Sequence, residues 1–342
     1  MAIHLTYCLN VHPGESWAEN FAAIRNHALR VKAQVSPREK FGLGLRLANA
    51  ASRTLAKPVE LAKFREFLAA HDLYVFTVNG FPYGTFHGKP VQERVYRPDW
   101  RTTARVAYTN RIADILAALL PDGVAGSIST VPGSYKAWIT GKRDVQAMVR
   151  NLRRCTEHLA WLRERTGKLI TLGLEPEPDC FLETTAEVVR FFEMLPAGEH
   201  LGICFDTCHF AVQFEDLRAS LRGLKAAGVL ISKVQISAAL ATTDARQLAR
   251  FRDDVYLHQT RSRGGEIRSH FHVPLDWKGT ARLRSTADQL TPAFFADAAK
   301  LCRHFEIETY TFHVLPAALR RDGVDTSIAR EFAFVRSRLA KL

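Results

Sequence analysis

The chain has 342 residues, 47% hydrophobic and 24% charged, the balance of a soluble globular protein and enough length for one α/β barrel with insertions or for two smaller domains. It lacks the run of about 18 apolar residues that a membrane helix needs, and its start, "MAIHLTYCLNVHPGE", lacks the layout of a secretory leader, so a cytoplasmic protein without membrane insertion is expected. The net charge of +12 fits a solvated basic surface as well as an anionic partner, phosphate or nucleic acid, and does not separate them.

In chain order, candidate strands fall at 3–9 "IHLTYCL", 73–79 "LYVFTVN", 124–130 "VAGSIST", 169–175 "LITLGLE", 201–206 "LGICFD" and 229–236 "VLISKVQI", with weaker ones at 268–273 and 305–311. Helical patterns lie between them at 59–70, 99–119, 142–166, 184–195, 243–256, 291–303 and 326–341. Apolar strands separated by helices imply a parallel sheet covered on both faces. Eight of them favour a closed (β/α)8 barrel in a single domain spanning 1–342. Residues 36–58 read as an insertion with a helix, 80–98 "GFPYGTFHGKPVQERVYRP" as a long aromatic loop, and 257–267 "LHQTRSRGGEI" as a mobile basic loop. The six cysteines are scattered and form no CxxC pair, which argues against a disulfide scaffold or a thiolate zinc site.

In such a barrel the chemistry sits where strands end. Here "LITLGLE" ends in Glu175 and runs on to Glu177; "CFDTCH" carries Asp206 and His209; "KVQIS" carries Gln235. "SHFHV" presents His270 and His272 at a period of two, and "FEIETYT" presents Glu306 and Glu308 the same way. Each has an ordinary structural alternative: Asp206 is well placed to cap the next helix, and Glu308 to pair with an arginine. Successive strand ends supplying carboxylate, imidazole and amide groups nevertheless predict a divalent-metal site for Mn, Mg, Co or Zn. His12 and His87 are expected as substrate contacts on the same face, and Lys136 in "TVPGSYK" as a group for an anion.

"CFDTCHF" resembles the Asp-Thr-x-His signature of the xylose-isomerase-like TIM barrels, which include sugar isomerases, ketose 3-epimerases and endonuclease IV-type nucleases. Coarse similarity runs from about residue 1 to 320, and the specific motifs lie between 169 and 316. "YCLNVHPGE", "LEPEP", "HFHVP" and "ETYTFHVLP" are similar to a narrower group of barrels from a bacterial metabolite-traffic gene cluster. The resemblance implies that Glu175, Asp206 and Glu308 bind the metal, with Gln235 where the family has a histidine. It also implies that Glu175 and Glu308 are the acid/base pair, and that His209 bonds a substrate oxygen. Glu177, His270 and His272 would join His12 and Lys136 around the substrate.

The function implied is metal-dependent isomerisation or epimerisation of a sugar- or cyclitol-like hydroxy-carbonyl metabolite, phosphorylated or not, in a secondary-metabolite pathway. An endonuclease IV-like phosphodiesterase and an idle metabolite-binding barrel are the alternatives. Val131 stands where the nuclease branch has a ligand histidine, so a nucleic-acid partner is disfavoured.

Overall fold

The structure, a computed structural model, describes residues 3–341. Eight strands run parallel: β1 (His4–Tyr7), β2 (Phe41–Arg46), β3 (Leu73–Asn79), β4 (Gly126–Thr130), β5 (Ile170–Leu174), β6 (Leu201–Asp206), β7 (Leu230–Ile236) and β12 (His304–Ile307). Their order is β1-β12-β7-β6-β5-β4-β3-β2. The outer strands meet through a parallel bridge between Cys8 and Gly44 and a 2.7 Å bond from Thr6 Oγ1 to the Gly42 carbonyl, which brings the sheet round into a barrel. This is the single-domain (β/α)8 architecture that the alternating pattern predicts.

Two assignments need correction. Residues 36–58 are not an insertion, because they contain β2, followed by the helix Asn49–Leu55. The strand "FGLGLR" is hard to recognise because two of its six residues are glycines, which weaken a strand pattern. At the closing seam the second glycine is required: a Cβ on Gly44 would stand 2.2 Å from Glu306 Oε1 and 2.7 Å from the Tyr7 carbonyl. Residues 268–273 are not a barrel strand. The strand there, β10 (Glu266–Ser269), belongs to a small antiparallel sheet, ordered β11-β8-β10-β9, with β8 (Leu240–Thr242), β9 (Thr260–Arg263) and β11 (Leu283–Ser285).

The stretch 257–267 is therefore an ordered hairpin rather than a free loop. Gly264 and Gly265 form its two-residue turn, both at positive φ (58° and 81°), the conformation that the tightest hairpin turns demand. The expected helix at 243–256 is reduced to a 3-10 turn, Ala245–Phe251. The others appear as Pro58–Ala70, Thr103–Leu119, Lys142–Thr166, Thr185–Phe192, Pro292–Leu301 and Val324–Leu339.

The barrel interior beneath the strand ends is polar. His304 Nδ1 on β12 reaches Ser127 Oγ on β4 at 2.9 Å, and Ser127 Oγ donates to Thr77 Oγ1 on β3 at 2.8 Å. Because β12 and β4 are not neighbours in the sheet, these side chains meet across the lumen. Lys233 and Glu306 form a fully buried ion pair in the same space. No helix among the described residues is long and apolar enough to cross a membrane.

Candidate active site

The carboxylates gather at the C-terminal mouth of the barrel. Asp206, the last residue of β6, caps the short helix Thr207–Val212. Its Oδ1 accepts from the His209 backbone N–H at 3.0 Å and from Ser237 Oγ at 2.7 Å. The capping role is real, and it uses one oxygen only: Oδ2 is buried with no hydrogen-bond partner. Glu175, one residue beyond β5, has a buried, unpartnered Oε2 as well. Glu308 follows β12, and one ligand oxygen from each of Glu175, Asp206 and Glu308 lies within 4.8 Å of the other two.

Three buried carboxylates at this separation resist simultaneous ionisation. Burial and repulsion from Asp206 push the Glu175 carboxyl well above the usual range; burial, Glu175 and Asp206 do the same to Glu308. Burial opposes ionisation of Asp206 too, but His209, His272 and the Ser237 hydroxyl outweigh it and hold Asp206 low. Unpartnered oxygens in a cluster of excess negative charge are the donor set of a divalent-cation site, so the residues fit the metal that the strand ends predict.

Beside this cluster stands a pair of histidines. His209 Nδ1 lies 2.9 Å from the Pro176 carbonyl, and His270 Nδ1 lies 2.7 Å from Gln259 Oε1. The Gln259 amide is oriented by its Nε2, which donates to the Pro178 carbonyl at 2.9 Å. Both Nδ1 atoms must donate, so in the neutral rings both Nε2 atoms carry lone pairs. These lone pairs face each other at 3.1 Å, an arrangement that calls for a shared proton or cation. A Glu177 oxygen is within ligand reach of both rings. Burial raises the Glu177 carboxyl to about 7, against the pull of His209 and the hydrogen bonds of Tyr96 and Gln259.

The structure brings together Glu175, Glu177, Asp206, His209, His270, His272 and Glu308. His272 hangs from the Glu308 carbonyl through Nδ1 at 2.8 Å and leaves Nε2 buried and unpartnered. Gln235 sits level with Asp206 across the β6–β7 pair, but its carbonyl accepts the Cys204 thiol at 2.9 Å and its amide nitrogen has no partner. Three expected contacts do not line the cavity. His12 is buried against Tyr7 Oη (3.0 Å) and stacked on His27 at 4.3 Å, because the chain turns into the 3-10 segment Leu9–Val11 right after β1. Lys136 is held on the outside by Glu183 and Glu187, each at 2.9 Å. His87, between Asn10 O and Tyr256 Oη at 2.6 Å each, ties two loops together.

Sequence reasoning missed the amides and phenols. Asn10 donates to Glu308 Oε1 at 2.6 Å, and Asn79, at the end of β3, approaches the same oxygen at 3.4 Å. Tyr96 Oη donates to Glu177 Oε1 at 2.8 Å and accepts from Gln259 Nε2 at 2.9 Å. The position of Asn79 at a strand end was the available signal. The loop residues carried none.

Over these groups lies a cavity, walled above by the 80–98 loop and by Tyr256, Leu257 and Tyr310. Arg105, fully buried, staples both ends of that loop. Its guanidinium donates to the carbonyls of Gly80, Phe81 and Pro98 at 2.7–3.0 Å. Arg46 and Glu15 fix the middle: Arg46 donates to the Gly84 carbonyl at 2.8 Å, and Glu15 Oε1 accepts the Phe86 N–H at 2.8 Å.

The xylose isomerase-like TIM barrel family model matches residues 44–290. Among solved structures, the chain is similar to a xylose isomerase-like TIM barrel protein from Mycobacterium smegmatis in complex with magnesium (12% identity, TM-score 0.61, covering 99% of this chain and 97% of that one). It is also similar to the IOLI protein with a binding zinc atom (12%, 0.56, 99% and 97%) and to an L-ribulose 3-epimerase (13%, 0.56, 100% and 95%). At these identities the likeness is one of fold. None of the curated proteins compared with the chain matches it. With the model spanning well over half its length, the chain belongs to the xylose isomerase-like TIM barrel family.

Proposed function

We propose that the protein is a divalent-metal-dependent isomerase or epimerase acting on a hydroxy-carbonyl compound of the sugar or cyclitol type. The observation that carries this reading is the pairing of Glu175 and Glu308 in one buried pocket, each biased toward holding a proton. Taking a proton from one face of a carbon next to a carbonyl and returning one to the other face uses such a pair with a single proton between them, one carboxylate ionised as base and the other protonated as acid. Family membership and the magnesium, zinc and epimerase relatives support it.

Glu175, Asp206 and Glu308 would hold the cation, one of Mg, Mn, Co or Zn. When bound, it supplies Lewis-acid stabilisation of negative charge developing on the carbonyl oxygen. The protein's own groups divide the remaining work. Glu308 Oε1 is engaged by Asn10 and Asn79, so Oε2 is left to take or give the proton. Glu175 is the second carboxylate of the pair. His209 and His270 supply the polar contact to a substrate oxygen, and the 80–98 loop keeps water from the carbanion.

The test is solvent-deuterium exchange at the carbon next to the carbonyl, run over ketoses and cyclitol ketones with each metal in turn. Exchange that needs metal and is lost in Glu175→Gln and Glu308→Gln supports the reading. A metal-loaded protein that binds but never exchanges is an idle carrier.

The Glu177–His209–His270 cluster would favour a multi-metal phosphodiesterase. Against that reading, Val131 is an apolar core residue, and no Lys or Arg among the described residues lines the cavity. Metal-dependent incision of abasic-site DNA at physiological salt would overturn the isomerase assignment.

A further inference from the structure

The cavity has two chemically distinct halves. Its floor is carboxylate, imidazole and amide. Its upper wall is apolar and aromatic: Phe81, Phe86 and Val95 from the long loop face Tyr256, Leu257 and Tyr310. Phe86, Tyr256 and Tyr310 pack on one another with ring centroids 4.9–5.3 Å apart, so this is a built surface rather than a chance exposure.

Among the described residues no Lys or Arg lines either half, and the charge of a bound divalent cation would be met by the three carboxylates that hold it. Lys89, Arg94 and Arg97 of the long loop line a separate pocket rather than this one, and four other cations around the site are already committed. Lys233 is sealed in the lumen against Glu306. The Arg46 guanidinium is spent on the Gly14 and Gly84 carbonyls and on Glu15. Arg261 is held by Asp179 and Glu183, and Lys136 by Glu183 and Glu187. A phosphate here would be buried beside Glu175, Glu177 and Glu308 with no Lys or Arg in the described lining to balance it, which both desolvation and like-charge repulsion oppose. The cavity presents polar groups at one end and apolar surface at the other, the lining that fixes an amphiphilic ligand's orientation.

We propose that this site takes an uncharged, two-ended substrate: a polyhydroxylated head against the carboxylate floor and an apolar substituent, aryl or alkyl, against the wall of Phe81, Phe86, Val95, Tyr256, Leu257 and Tyr310. It rests on the proposed function for the nature of the head group alone.

Calorimetric titration of the metal-loaded protein with glucose, n-hexyl glucoside, phenyl glucoside and glucose 6-phosphate tests it. The hexyl and phenyl glucosides are expected to bind about tenfold or more tightly than glucose, since their substituents leave water for an apolar wall, and glucose 6-phosphate is expected not to bind. Val95→Asp and Leu257→Asp, both at half-buried positions, should bring the glucoside-to-glucose affinity ratio close to one while thermal melting shows a folded protein. A ratio near one in the wild type, tighter binding of the sugar phosphate, or no binding of any probe overturns the proposal. Deuterium exchange reads proton transfer separately, so failure of the apolar-wall inference and failure of the isomerase reading are told apart.

Discussion

The side-chain amide of Asn10, just beyond β1, donates to Glu308 Oε1, just beyond β12, at 2.6 Å across the seam of two adjacent strands. That bond takes one oxygen of a carboxyl that burial and Glu175 bias toward holding a proton, and it fixes which oxygen faces the cavity. Asn10→Ala is expected to lower kcat about 10- to 100-fold with a smaller change in KM, the usual scale for a residue that orients a reacting group. Asn10→Asp, which sets a further carboxylate beside Glu308, should lower it more. Steady-state kinetics with thermal melting as a control decides, and an unchanged kcat in Asn10→Ala removes Asn10 from the site.

Glu175→Gln and Glu308→Gln are expected to lose about 10²–10⁴ in turnover, since an amide cannot carry the proton. Their effect on stability should depend on metal. In stripped protein each substitution relieves repulsion among buried carboxylates, so the melting temperature holds or rises. In loaded protein a ligand has been weakened, so the gain in melting temperature on adding metal should shrink. Variants that respond to metal as the wild type does would place the cation elsewhere.

Gln235 tests where the metal preference is set. The Gln235 carbonyl is occupied by the Cys204 thiol, and the buried amide nitrogen has no partner. If this position belongs to the metal site, Gln235→His should tighten Zn or Co more than Mg, because imidazole suits the later transition metals. If it belongs only to the lumen, the substitution lowers stability and leaves affinity alone. Titration of stripped wild type and variant with Zn and Mg separates the two outcomes, and unchanged Zn affinity in a folded variant excludes Gln235.

A pH dependence independent of the metal cluster comes from Glu331, on the C-terminal helix. Burial raises Glu331 from 4.5 to about 8, while Thr309 Oγ1 and the Leu275 N–H donate to Oε1 at 2.7 and 3.1 Å. The folded state holds this proton more tightly than the unfolded chain. The stabilisation is therefore complete below about pH 4.5 and is lost as pH rises toward 8. Glu331→Gln keeps the acceptor oxygen and removes the charge. Relative to wild type, the variant should gain stability from pH 5 to 8, on the order of 3–5 kcal/mol across the full window. Urea denaturation at a series of pH values measures the difference, and a constant offset between the two proteins would refute the assignment.

The sequence by itself determined the barrel and most of the carboxylate site, because both follow from local order. An apolar strand that stops at Glu175, Asp206 or Glu308 places that residue at the mouth wherever the strand packs. Local order also exposed its own weak points: β2, thinned by Gly42 and Gly44, did not look like a strand, and "RSHFHV" looked like one while belonging beside the small antiparallel sheet. Only the tertiary structure decided the rest. Asn10 and Glu308 are 298 positions apart, as are Tyr96 and Glu177 by 81, and no periodicity links such pairs. It also turned His12 toward Tyr7 and Lys136 toward Glu183 and Glu187, since a short loop is oriented by whichever partner the packed elements bring within hydrogen-bond reach.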